Sequence, residues 1–233
     1  MEFLHWADKP TGLIDFALTT LPPTTAYDNV ESTIARLKQN SGDLGVSYLS
    51  PKAGGRRRND GVDVKWEVSR PDYHVGSATP DDSYFPTKRT DVPFFCHDIT
   101  DRKVRVPFDD NTITTHPCGA TGIASVEVLV PTSHLEAYVK AYSSITGVTA
   151  RLASESDPND GVLFHVAAPV ARSNETLIWV HPPRNDNDIH WLQDRGIGIR
   201  GLSLNVERRE GSGQQSLGKD GMASTISLSW QET

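Results

Sequence analysis

Apolar and polar positions alternate from the first well-patterned stretch of the chain. In Gly12 to Thr20, Ile14, Phe16 and Leu18 alternate with Asp15, Ala17 and Thr19, and this period of two predicts a half-buried strand. Leu21-Pro22-Pro23 ends it, because proline has no N–H for a ladder. A helical stripe follows, with Val30, Ile34 and Leu37 on one face. Asp28 and Glu31 give it a capping-box-like start, and Asn40-Ser41-Gly42 stops it. Three strands are then expected: Val46 to Leu49, Val62 to Val68 and Val92 to Ile99. The turn Asn59-Asp60-Gly61 introduces the second, and a polar loop over residues 71–91 precedes the third.

The same order repeats. Gly122 to Val130 patterns as a strand, and Ser133 with Glu136 forms an S-x-x-E start for a helix. Leu135, Tyr138, Val139 and Tyr142 share one helical face, and Gly147 ends it as a left-handed cap. Thr149 to Ala153, Val162 to Ala168 and Thr176 to His181 are strand-like, with Gly161, Pro169 and Pro182 between and after them. Residues 12–100 and 122–182 thus share the order strand, helix, three strands. Beyond them, Gly201 to Glu207 alternates again, Glu210 to Gly221 is Gly/Ser-rich and reads as a flexible loop, and Ala223 to Trp230 reads as a last strand. The fold class is therefore α+β, built from paired βαβββ units. Expected boundaries are 1–110 for the first unit, 111–185 for the second and 186–233 for a C-terminal extension with one or two strands.

Composition narrows the function. With 233 residues, 36% apolar and 23% charged, the chain can bury a core. A net charge of −7 disfavours general nucleic-acid binding, which needs clustered cations. MEFLHWADKP has no apolar core for a secretory signal, and no run approaches a membrane span. Two cysteines, Cys96 and Cys118, do not make a disulfide framework, so a cytoplasmic setting with reduced thiols is expected. They would be reactive only beside cations that lower their pKa. A G-x-S-x-G elbow, a phosphate loop and zinc-type Cys/His spacing are all absent from the sequence.

Duplicated βαβββ units resemble the vicinal-oxygen-chelate superfamily, which includes glyoxalase I and ring-cleaving dioxygenases. Gly54-Gly55-Arg56-Arg57-Arg58-Asn59-Asp60-Gly61-Val62-Asp63-Val64-Lys65-Trp66, with Pro93 to Asp98 after it, is more specific. It resembles the glyoxalase-like domain family of fungi and bacteria. Gly12 to Leu18, Arg102 to Pro107, and His116-Pro117 with Gly119 resemble its fungal form, and the likeness spans roughly residues 5–185. Members usually carry a further strand-helix-strand unit upstream of the Gly12 strand. Its absence would make the barrel close differently or form a homo-oligomer through an unpaired sheet edge.

The resemblance implies a cavity to which the first and fourth strands of each unit give metal ligands. Asp15 and His97 occupy those strands in the first unit, Glu127 and His181 in the second. Together they would hold one divalent metal ion that polarises a carbonyl or activates water, with His97 and Glu127 as catalytic side chains. The usual first-strand histidine is replaced here by Phe16, and by Ser125 or Val126, and a one-residue slip would turn the ligands out of the barrel. His97 reads equally as ligand or base and as a partly buried histidine bonded to a carbonyl. His181, at a strand end before Pro182-Pro183, carries the same choice, and His165 reads as structural.

Arg56, Arg57, Arg58 and Asp60 form the candidate ligand-binding loop. One arginine would grip a carboxylate or phosphate, or all three would pair with Asp60 and Asp63. Trp66 is expected in the core. Arg102, Arg105 and His116 would line the pocket entrance or pin the connector. Three readings follow: a metal-dependent enzyme acting on a small oxygenated metabolite, a non-catalytic module binding an anionic or aromatic small molecule, and a degenerate or truncated paralogue without activity.

Overall fold

Two sheets with helices between them organise the computed structural model, which describes residues 12–86, 88–117, 119–169, 175–206, 213–216 and 225–230. In the first unit, β1 (Ala17–Leu18) leads to α1 (Ala26–Gln39), a short β2 (Val46–Tyr48), β3 (Lys52–Arg57), β4 (Asp63–Ser69), β5 (Pro71–Tyr73) and β6 (Phe94–Asp98). The second unit comprises β7 (Ala120–Leu129), α2 (Leu135–Thr146), β8 (Arg151–Leu152), β9 (Val162–Val166) and β10 (Thr176–His181). After it come α3 (Asp186–Arg195), β11 (Gly198–Val206), β12 (Gly213–Ser216) and β13 (Thr225–Trp230).

The repeat holds at the level of topology. Sheet one runs β1-β6-β4-β3, and the second unit runs β7-β10-β9-β8. In each, the first strand lies beside the last and parallel to it. The structure is therefore mixed α+β, as the alternation predicts. Sheet two is wider, because β11, β13 and β12 extend it beyond β7 to seven strands.

Several local expectations change. The Val46 strand does not join sheet one; it pairs with β5 in a separate ribbon. The missing second strand is β3, which contains the Gly54-Gly55-Arg56-Arg57 run and pairs antiparallel with β4. Neither β3 nor β5 shows a period of two in apolar residues, and this is why both escape detection. Thr25, not Asp28, caps α1 by accepting from Asp28 N–H at 3.1 Å. Ser133 does not cap α2, because a 3-10 turn over Thr132–His134 precedes it. Glu136 instead pairs with Lys140 at 2.8 Å. Gly147 does end α2 in the left-handed region. Helix α3 is too polar to announce itself, yet it buries Trp191 and is capped by Asn185. Cys118 and most of the Glu210–Gly221 stretch lie outside the described residues, and β12 falls within that stretch.

One core joins the units. Val30, Tyr48 and Phe95 of the first pack with Val126, Val128, Tyr138, Tyr142, Phe164 and Ile178 of the second. Each such side chain contributes about 1.5–3 kcal/mol by leaving water. The Arg36 guanidinium of α1 donates to the Ser144 carbonyl in the last turn of α2 at 2.6 Å, where a cation suits the helix dipole. Because the shared core lies on one side of each sheet, Cys96 and Asp98 in β6 and Glu127 in β7 fall on the opposite sides, by strand alternation.

Candidate functional site

A charged hollow forms on the non-core side of sheet one. Its first wall is the β3–β4 hairpin. Arg58 N–H donates to Val62 O at 2.8 Å and Gly61 N–H to Arg58 O at 3.0 Å, while Gly61 takes a φ of +85° that other residues resist. Gly54 lets the Trp66 ring lie against its strand, since a Cβ there would sit 2.6 Å from Trp66 Nε1. Trp66 is thus half-buried on this side, outside the core where the sequence places it.

The second wall is the helical turn Arg102–Arg105, capped by Asp101. Arg58 joins the walls by donating from Nη1 to Val104 O at 2.9 Å, and it pairs with Asp60 at 2.7 Å. Asp98 receives Arg102 at 2.7 Å and Arg105 at 2.5 Å. Between the walls lies a hollow of about 470 Å³, open to solvent, lined by Arg56, Arg57, Arg58, Asp60 and Arg105. Val104 and Pro107 add apolar surface. Arg57 approaches Asp63 only to 3.9 Å, and both side chains are largely exposed. The Arg56 side chain has no hydrogen-bond or ion-pair partner among the described residues, although its backbone belongs to the β3–β4 ladder. His116 is exposed, whereas Arg102 and Arg105 do pin the connector. Arg105 was legible only as a cation in that connector.

Cys96 lies behind Arg105, which donates to its sulfur at 3.2 Å. Burial raises the thiol pKa, with Arg105 opposing it, so the adjacent cation does not activate Cys96.

The second cluster sits on the non-core side of sheet two. Strands β7 and β10 place Glu127 beside Trp179, and His181 Nε2 meets Glu127 Oε1 at 2.9 Å. His181 is fully buried, and its Nδ1 meets Pro182 O at 2.7 Å. Both ring nitrogens face acceptors, so satisfying them requires a proton on each nitrogen or one on Glu127. Arg184 stands 3.8 Å from Glu127 and 4.3 Å above the Trp179 ring. Arg184 and Trp179 carry no sequence signal for this cluster, since loop residues and buried aromatics are common. His165 pairs with the exposed Glu175 at 2.9 Å.

Of the four expected metal ligands, the structure joins only Glu127 and His181. His97 sits on the core side of sheet one, stacked on Phe95 with ring centroids 5.7 Å apart. Its two nitrogens are engaged by Thr20 and, at 3.3 Å, by Ser69. Burial lowers its pKa to about 4. Asp15 accepts from Phe16 N–H at 2.8 Å, and its charge, after burial, helps raise the Tyr48 and Tyr142 phenols. Among the described residues, no group of three or more His, Cys, Asp or Glu side chains is placed to hold a metal ion. The residues therefore do not fit the expected centre. The reason is geometric: His97 faces the shared core, and Glu127 faces away from it.

The sequence profile of the glyoxalase-like domain matches residues 3–146. Among curated proteins, none matches the chain. A crystal structure of a hypothetical protein from Staphylococcus aureus aligns over 93% of this chain and 66% of its own length, with 10% identity and a TM-score of 0.55. The chain thus spans about two thirds of that protein. Methylmalonyl-CoA epimerase from Mycobacterium tuberculosis aligns over 51% of this chain and 93% of its own, with 17% identity and a TM-score of 0.38. The Streptomyces coelicolor epimerase in complex with 2-nitronate-propionyl-CoA covers 49% of this chain and 99% of its own, with 14% identity and a TM-score of 0.39. Among the described residues, no helix is long and apolar enough to cross a membrane.

Proposed function

The chain belongs to the glyoxalase-like domain family, and from that premise we propose that it is a small-molecule-binding member that takes an anionic ligand at the arginine hollow. The observation that carries this reading is the open space of about 470 Å³ lined by four arginines. That size suits a metabolite, and guanidinium forks suit carboxylate and phosphate oxygens. Two of the four arginines are held by carboxylates and thereby positioned, since Arg58 is tied to Asp60 and Arg105 to Asp98. Arg56 and Arg57 remain available to a ligand. Calorimetric titration with carboxylate- and phosphate-bearing small molecules tests the proposal. Binding that is lost in Arg56→Gln and weakened by salt supports it; equal binding by that variant refutes it.

A second reading rests on the Glu127–His181 contact at 2.9 Å. A carboxylate and imidazole holding a proton between them, with Arg184 beside them, have the parts for acid–base chemistry on a small oxygenated metabolite. His181 is fully buried, so this reading needs Glu127 as the group that meets substrate. It is refuted if Glu127→Gln retains any turnover found for the wild type.

A further inference from the structure

We infer that the hollow selects a doubly charged phosphate group, with Arg56 and Arg57 as the contacting guanidiniums. This rests on the anion-binding reading and adds its ligand class.

The charge balance comes first. Arg56, Arg57 and Arg58 on the hairpin and Arg102 and Arg105 on the opposite wall are five cations. The carboxylates that reach them are three: Asp60, Asp63 and Asp98. Asp98 serves two arginines at once, at 2.7 and 2.5 Å. Two positive charges are left over. A monocarboxylate neutralises one of them, and a phosphate monoester dianion neutralises both. The excess is local, in a chain whose net charge is −7. A long polyanion would meet that opposing field over most of its length, whereas a small phosphate meets only the hollow.

Donor geometry points the same way. Each guanidinium offers a planar fork of N–H groups, and a phosphate presents three terminal oxygens to more than one fork. The forks of Arg58 and Arg105 are largely spent on Asp60, Val104 O, Asp98 and Cys96. They set the shape of the hollow. Arg57 keeps only Gly61 O at 3.1 Å and a distant Asp63, and the Arg56 side chain has no partner among the described residues. These two can turn onto a ligand without breaking a close ion pair. The hollow is open on one side, so the phosphate would be gripped while the rest of the molecule projects past Val104 and Pro107.

The test is calorimetric titration of the full chain with phenyl phosphate, inorganic phosphate, succinate and acetate. We expect phosphates to bind about tenfold or more tighter than acetate, with affinity falling as pH drops through the second phosphate ionisation near pH 6. Arg56→Gln should lower phosphate affinity at least about tenfold with an unchanged melting temperature, and Arg56→Lys should restore part of it. If succinate and acetate match the phosphates and all are sensitive to Arg56→Gln, phosphate selectivity is overturned while anion binding stands. If no anion binds, or Arg56→Gln binds like the wild type, both fall.

Discussion

Two arginine–aspartate regions of this protein use the same chemistry to opposite ends. Arg89 and Asp91 pair at 2.9 Å with side chains 10% and 0% exposed. Further contacts hold the pair: Arg89 also donates to Leu44 O at 2.8 Å and lies over the Tyr73 and Phe85 rings. Tyr138 donates to the Asp91 carboxylate at 2.7 Å and Tyr142 to its carbonyl at 2.8 Å. The pair pins the loop before β6 onto α2, between the units. At the hollow, arginines outnumber the carboxylates, and Arg56 and Arg57 stay exposed. Burial with full pairing makes a charge structural, because removing one partner strands the other in a low dielectric. Exposure with an excess of one sign leaves little to stabilise the fold and something to offer a ligand.

The largest expected effect breaks the buried side. Asp91→Ala should cost about 3–5 kcal/mol in urea unfolding, because Arg89 and the Tyr138 hydroxyl lose their acceptor. Tyr138→Phe should cost about 1.5–3 kcal/mol, the range for a hydrogen bond to a charged group.

Next is a pH effect. Burial holds His97 neutral in the fold down to about pH 4, against an ordinary value of 6.5. Below that ordinary value the unfolded chain binds a proton that the fold refuses. Stability is therefore full above pH 6.5 and falls as pH drops toward 4, by up to about 3 kcal/mol. His97→Gln should flatten that segment of the stability–pH curve, and an unchanged slope would contradict the burial of His97.

Smaller again is the Glu127–His181 contact. Gly201 has no Cβ to strike Glu127 Oε2. Gly201→Ala should displace the carboxylate and cost about 1–3 kcal/mol by leaving a buried His181 nitrogen unmatched. Matched melting curves for wild type and variant would argue that the contact is dispensable. The smallest effect sharpens the exposed side: Arg56→Gln should change stability by less than about 0.5 kcal/mol while altering anion binding.

Legibility followed the range of the interactions. The β7 and β10 alternations and the α1 and α2 stripes were readable, because each records a local period that burial imposes. Strand β3 was not, since Arg56 and Arg57 occupy positions whose pairing with Val64 and Asp63 comes from the partner strand. At the site, Arg56, Arg57, Arg58 and Asp60 were visible as a charged string, but Arg105 joins them from about fifty positions away in the chain, and long-range contacts such as Arg58–Val104 bring the walls together.

By itself, the sequence determined the class of the fold and the order of its repeated units, because periods of two and 3.6 are written into neighbouring residues. The tertiary structure alone decided which side of each sheet meets the other unit. That choice puts His97 under Phe95 and Glu127 on a face turned from the core. Alternation says which residues share a face; it does not say what covers that face.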